Sequence, residues 1–166
     1  QDCDDFDVLG LDAGSIDDSV DVYRRLGVPV MDCAGLNQAA SVNKAVASID
    51  TPFFSWINPD DRYEPEFVSG HLARFMNPFV GVVYSNFFLQ KHDGQIAQHE
   101  TLDVADSMYD GWNHVCHPTT MIRRRTWDLL GRFDESFVYA FDFEFWIRAF
   151  CAAVGFVKIS QATATF

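Results

Sequence analysis

The 166 residues carry 24 acidic against 12 basic side chains, a formal charge of −12, with 48% apolar residues and 16 Phe. That length and apolar fraction fit one domain with a Phe-rich core rather than a disordered chain. The charge disfavours a nucleic-acid backbone or an anionic membrane as the main partner, although a divalent metal can invert the field locally and admit a phosphorylated small molecule. No apolar stretch approaches the roughly 20 residues that span a bilayer, and no leader-like segment opens the chain, so a soluble, cytoplasmic protein is expected. Cys3, Cys33, Cys116 and Cys151 are scattered without a C-x-x-C pair, and read as reduced thiols rather than disulfides or zinc ligands.

In chain order, Phe6–Leu11 predicts a short strand that stops at the loop composition Asp12-Ala13-Gly14-Ser15. Asp17-Asp18-Ser19 supplies an N-cap and first-turn acids for a helix to about Leu26, ended by Gly27. Val28–Met31 is a second strand. A helix over Gln38–Ile49 follows, with Ala40, Val42, Ala45, Val46 and Ile49 on its apolar face. Pro52–Ile57 is nearly continuous in apolar residues, as for a strand covered on both faces, and it breaks off into Asn58-Pro59-Asp60-Asp61. Strands alternating with helices predict βαβ units, hence an α/β fold with a largely parallel sheet. Ligands in such sheets bind beyond the carboxyl ends of the strands. Asp12 and the Asn58–Asp61 turn both lie at such ends and are expected to face one crevice.

Further on, a helix is predicted from about Glu64 to Phe75, a long strand over Phe79–Leu89, a turn over Gln90–Gly94 and a return strand over Gln95–His99. Glu100–Asn113 is polar and irregular, a candidate mobile loop. Cys116–Ile122 reads as a strand, Arg123–Leu130 as a short helix closed by Gly131, Asp142–Ala153 as a longer helix, and Val157–Ile159 as a last short strand.

Four segments, in this order, resemble family-2 glycosyltransferases with the GT-A fold, particularly the bacterial branch that builds surface polysaccharides. Asp12-Ala13-Gly14-Ser15-Ile16-Asp17 is similar to the family's D-x-G-S-x-D, and Ala39-Ala40-Ser41-Val42-Asn43-Lys44-Ala45 to its A-x-N-K-G, with Ala45 in place of Gly. Asn58-Pro59-Asp60-Asp61 is similar to its N-S-D-D form of the D-x-D motif. Gly131-Arg132-Phe133-Asp134-Glu135-Ser136, followed by Phe141-Asp142-Phe143-Glu144-Phe145-Trp146-Ile147-Arg148, is similar to G-x-F-D-E and D-x-D-x-W-x-R. Each motif is weak alone, and their order over nearly the whole chain is what carries the likeness. The resemblance implies a Rossmann-like sandwich whose mostly parallel mixed sheet is flanked by helices. It also implies a start about one strand-helix unit late. Residues 1–62 would form the nucleotide and metal half, residues 63–166 the acceptor and catalytic-base half.

The same resemblance assigns roles. Asp60 is expected to ligate Mn²⁺ or Mg²⁺, with Asp61 a second ligand or outer acceptor and Asn58 a contact to the ribose or a metal-bound water. A hard cation there would offset the charge of a departing nucleoside diphosphate. Alone, Asn58–Asp61 reads better as a turn, since Asn, Pro and Asp are turn formers, and the other motifs favour the metal. Asp12 is placed to accept from a nucleotide base, Asp17 reads as a helix cap in competition with Ser15, and Asn43 and Lys44 flank the nucleotide and diphosphate. Asp142 is expected to be the general base of an inverting transfer, standing at a helix N-terminus where a carboxylate is also a plain cap. His117, Glu144 and Trp146 fall on the acceptor or diphosphate side, with a structural role open for each. Arg123-Arg124-Arg125 is read as a capping and solvating cluster rather than a phosphate site.

The expected activity is therefore metal-dependent, inverting transfer of a sugar from a nucleoside-diphosphate donor (UDP, GDP or dTDP type) to a hydroxyl of a saccharide or lipid-linked acceptor. The expected place is the cytoplasm, at the inner face of the plasma membrane where a lipid-linked acceptor would be met. The alternative is a non-catalytic sugar-nucleotide or saccharide-binding fragment. A nucleotidyltransferase would need a Gly-rich basic loop near the N-terminus, and none is visible.

Overall fold

A computed structural model describes residues 1–166. Strand β1 (Gly10–Asp12) and β2 (Val30–Asp32) pair in parallel, Asp12 opposite Asp32, joined through helix α1 (Ser19–Arg25). Helix α2 (Gln38–Ser48) then leads to β3 (Phe53–Phe54). Asn37 caps α2 by accepting the backbone N–H of Ala40, and the helix buries Ala39, Val42 and Val46 at the i, i+3, i+7 spacing of one face.

A second, six-stranded sheet runs in the order β3-β7-β5-β8-β4, with β6 on β5. Its remaining strands are β4 (Arg62–Tyr63), β5 (Val80–Gln90), β6 (Ile96–His99), β7 (Met121–Arg123) and β8 (Gly155–Thr165). The long seam is β5 on β8, which is parallel, while β3-β7, β4-β8, β5-β6 and β5-β7 are antiparallel. Consecutive residues of β5 face opposite sides, so Val82 and Tyr84 enter one apolar cluster and Val83 the other. The first cluster lies under α2, α5 (Arg124–Leu130) and α6 (Phe141–Cys151), around Trp56, Phe133, Phe141, Phe145 and Trp146. The second lies under α3 (Phe67–Leu72), around Phe67, Val68, Phe75, Val80, Val83 and Met121. Burying each large side chain contributes about 2–3 kcal/mol.

Several expectations are corrected. The sheet is mixed, with most strand pairs antiparallel. The third strand shortens to Phe53–Phe54, and Ser55–Pro59 leaves the ladder. Cys116–Ile122 is not one strand: Pro118 lacks the N–H a ladder needs, and the N–H groups of Thr119 and Thr120 turn back to Cys116 and His117 as a 3-10 turn before β7 begins. The supposed mobile stretch Glu100–Asn113 contains helix α4 (Val104–Asp110), held by reciprocal Asp103 and Asp106 capping and ended by Gly111 at φ 75°. The helix predicted from Glu64 is only Phe67–Leu72, continued as 3-10 to Met76. The last strand is 11 residues rather than three, because β5 offers it a ladder, and β4 is an edge strand with no forecast.

The basic cluster clamps backbone. Arg124 donates to the carbonyls of Val46 in the last turn of α2 and Ile49 at its C-cap, Arg123 to those of Phe75, Asn77 and Val80, and Arg125 to that of Pro78. Those orphan carbonyls account for the positive charge without a ligand.

Candidate functional site

Two strand ends, a turn beyond β3 and one helix start carry the expected site residues. At the end of β1 the Asp12 carboxylate accepts the backbone N–H groups of Gly14 (3.3 Å) and Ser15 (3.1 Å), and the Ser15 hydroxyl first, then these N–H groups, hold it below the usual carboxylate range. Opposite it, Asp32 at the end of β2 accepts the N–H of Ala34 through its side chain, and its carbonyl accepts Lys44 Nζ at 2.6 Å. Asp12 and Asp32 line a cavity of about 370 Å³ with Arg24, Val20 and Pro29. Lys44 thus joins Asp12 at one edge, whereas Asp32, unnoticed in the sequence, belongs there because of strand register.

Beyond β3 the N–H of Asp61 donates to the carbonyl of Asn58 (3.1 Å), closing the turn that projects Asp60 and Asp61. Burial first, then the charge of Asp60, raises the Asp61 carboxyl above the ordinary range, and neither residue has a basic partner within ion-pair distance. Gln38 in the first turn of α2 donates to Asn58 Oδ1 at 2.5 Å, tying that helix start to the turn. No group of three or more His, Cys, Asp and Glu side chains is close enough to hold a metal by itself.

Helix α6 begins after Ala140, which sits at φ 59°, and so presents Asp142 in its first turn. Asp142 is 9% exposed and accepts Asn113 Nδ2 at Oδ2 (2.9 Å), with His117 Nδ1 4.0 Å from the same oxygen. The His117 ring stacks on Trp56 at 5.3 Å and 5° between planes, and Trp56 rests against Phe133 and Phe141. Burial pushes His117 below the usual imidazole range, opposed by Asp142 and then Asp60, and its Nε2 is buried with no partner. One imidazole therefore feels both carboxylate groups. Cys116 beside it is pushed up to about 11 by burial and by Asp142, which keeps the thiol protonated.

Other expected site residues lie elsewhere. Asn43 is 1% exposed, and its amide is spent on the backbone of Phe133 in both directions (2.9 and 3.0 Å) and on Glu135. It pins α2 to the 131–136 loop rather than facing a ligand. Glu144 is engaged by Arg148, which also reaches the carbonyls of Leu130 and Arg132. Trp146 is fully buried, its indole N–H donated to the carbonyl of Val115 (3.0 Å), so no ring face is open to a sugar. Asp17 holds the N–H of Ser19, next to the start of α1, while Asp18 occupies the cap position without a side-chain bond.

The sequence and the fold both have counterparts among known proteins. Residues 1–144 match the sequence family described as Glycosyl transferase family 2. The chain belongs to that family. Its GT-A fold is shared with solved structures. TarS 1-349 of S. aureus in complex with UDP-GlcNAc superposes with a TM-score of 0.76 at 18% identity, covering 97% of this chain and 49% of that one. A mannosyltransferase of Pyrobaculum calidifontis in complex with GDP-Man and Mn²⁺ gives a TM-score of 0.72 at 12% identity, covering 96% and 47%. Glucosyl-3-phosphoglycerate synthase of Mycobacterium tuberculosis in complex with phosphoglyceric acid gives 0.67 at 15%, covering 93% and 59%. The chain thus spans about half the length of the structures it matches. No curated protein matches its sequence.

Proposed function

We propose that this family-2 glycosyltransferase chain carries the donor and base sites for transfer of a sugar from a nucleoside diphosphate to a hydroxyl acceptor, with inversion. The carrying observation is the His117 imidazole, stacked on Trp56 and within the fields of both Asp142 and Asp60. It supports a reading in which the acidic turn and the helix-borne carboxylate act on one region. Solved relatives by fold hold UDP-GlcNAc and GDP-Man, which supports a nucleotide-sugar as donor.

In this reading residues 1–62 supply the donor side. Asp12 accepts from the nucleotide base beside the cavity it lines with Asp32, Lys44 lies towards the phosphates, and Asn58 contacts the ribose or an ordered water. Asp60 and Asp61 fit a divalent cation: two crowded carboxylates without a basic partner, one with a raised carboxyl, are relieved by a positive charge. Two carboxylates alone make an incomplete cage, which suits Mg²⁺ or Mn²⁺ completed by waters and phosphate oxygens. When bound, the cation supplies Lewis-acid stabilisation of the departing diphosphate.

Residues 63–166 supply the acceptor side. Asp142 takes the proton of the acceptor hydroxyl as its oxygen attacks the anomeric carbon from the face opposite the nucleotide, which leaves as diphosphate. Asp142 stands in the first turn of α6, where this step needs a base. His117, with a free Nε2, is placed between the two ends. The acceptor class is a saccharide or lipid-linked saccharide of cell-surface polysaccharide synthesis, met by peripheral contact at the inner membrane face; no helix is long and apolar enough to cross a membrane.

The test is calorimetric titration of nucleoside diphosphates into the protein with Mn²⁺ or with chelator. Asp60→Ala is expected to abolish the Mn²⁺-dependent part of binding. An unchanged metal-dependent titration would remove the donor assignment.

A further inference from the structure

We propose, building on the glycosyl-transfer reading above, that Asn113 is the positioning residue for Asp142 and fixes which carboxylate oxygen receives the acceptor proton. Asn113 lies between α4 and the 3-10 turn. Its Oδ1 accepts the backbone N–H of Val115 (3.3 Å), while Nδ2 donates to Asp142 Oδ2 (2.9 Å). Because that N–H can only donate and a carboxylate can only accept, the side-chain amide fits one way round. Its nitrogen must face Asp142.

The segment holding Asn113 has anchors besides Asp142. Val115 is wholly buried and its carbonyl takes the Trp146 indole N–H. The backbone N–H of His114 donates to Ser107 Oγ, and His114 Nε2 meets Asp110 at 2.7 Å. Asn113 thus reaches Asp142 from a segment with its own hydrogen bonds to Ser107 and Asp110, which Trp146 also ties to α6 through Val115. On the other oxygen, Asp142 Oδ1 has no partner within the protein and is not sealed from solvent. Oδ2 is taken by Asn113, with His117 next to it. Oδ1 is the oxygen left to receive the hydroxyl proton.

The charged and titratable neighbours leave Asn113 as the main donor to Asp142. From the 3-10 turn come His117, at 4.0 Å, and the protonated Cys116 thiol. On α6 itself Glu144 and Arg148 satisfy each other, and from the α4 side His114 is engaged by Asp110. No lysine or arginine pairs with Asp142. An N–H donor favours the ionised carboxylate, so its removal penalises the active form.

The test is the pH profile of kcat/KM in the full-length protein with a nucleotide-sugar donor that the wild type turns over, for the wild type, Asn113→Ala, Asn113→Asp and Asp142→Asn. Asn113→Ala is expected to lower kcat by at least about tenfold, to leave nucleoside diphosphate affinity unchanged, and to move the acid limb of the profile upward. Asn113→Asp is near-isosteric, keeps the acceptor for Val115 and sets a second carboxylate against Asp142, so it moves the limb further and carries the test if the alanine variant misfolds. Asn113 variants whose limb coincides with the wild type overturn the positioning role while the glycosyl-transfer reading stands, provided Asp142→Asn is inactive. An active Asp142→Asn would overturn the assignment of the base, and the positioning role with it.

Discussion

Asn43 separates a ligand role from a structural one. Asn43→Ala removes the acceptor for the N–H of Phe133 and the donor to its carbonyl, at a residue only 2% exposed. Two buried backbone groups then lose their partners, at about 1.5 kcal/mol each, or about 3 kcal/mol together. The bond to Glu135 adds little, because Glu135 is exposed and water replaces it. With a urea slope of about 2 kcal/mol per molar, the unfolding midpoint falls by about 1.5 M. The assay is urea unfolding followed by Trp fluorescence, paired with nucleoside diphosphate titration well below the transition. The clamp predicts a large midpoint shift with near-normal affinity. An unchanged midpoint with lost nucleotide affinity would refute it and return Asn43 to the donor site.

Other outcomes follow from single contacts. The folded chain holds the Asp61 proton more tightly than the unfolded chain, so protonation of Asp61 favours the fold. That contribution is fully present below 3.8 and is lost as pH rises through the higher folded value. Asp61→Asn should accordingly raise the Tm at pH 7, with a gain that vanishes in acid; differential scanning calorimetry across pH would show a flat or negative difference if the crowding is unimportant. Mn²⁺ should raise the Tm of the wild type more than that of Asp61→Asn. Gly155 has the carbonyl oxygen of Phe79 at 2.6 Å from where a Cβ would stand, so Gly155→Ala must shift the start of β8 and cost roughly 2 kcal/mol. Unfolding at wild-type urea concentrations would contradict that.

The first half of the chain is legible in the sequence because its signals are local. Asp12 and Asn58–Asp61 end apolar runs, and the α2 face repeats at helical spacing, so residue order alone puts both carboxylate loops at strand ends. Asp142 is visible as an acid at the start of an apolar helix. What escapes depends on partners distant in sequence. Asp32 joins the site through register with Asp12, and Asn113 is one polar residue in a polar stretch until α6 packs beside it. The 11-residue β8 contains Lys158, Ser160, Gln161 and alternating Ala and Thr that mute its apolar signal; β5 makes it a strand. Two misreadings are local and avoidable. Pro118 argues against a continuous strand, and Asp103 with Asp106 and Gly111 marks both ends of α4. Asn43 and Trp146 show the reverse, motif residues whose polar groups are consumed inside the fold, while the partly exposed Glu144 is engaged by Arg148.

The most direct measurement is sugar transfer by Asp142→Asn in the full-length protein, with donor binding followed in the same preparation. Mn²⁺-dependent nucleotide-sugar binding close to the wild type with no detectable transfer is the expected result, because the proposal puts the donor side on Asp12, Asp60 and Asp61 and the proton on Asp142. Turnover at the wild-type rate would contradict it.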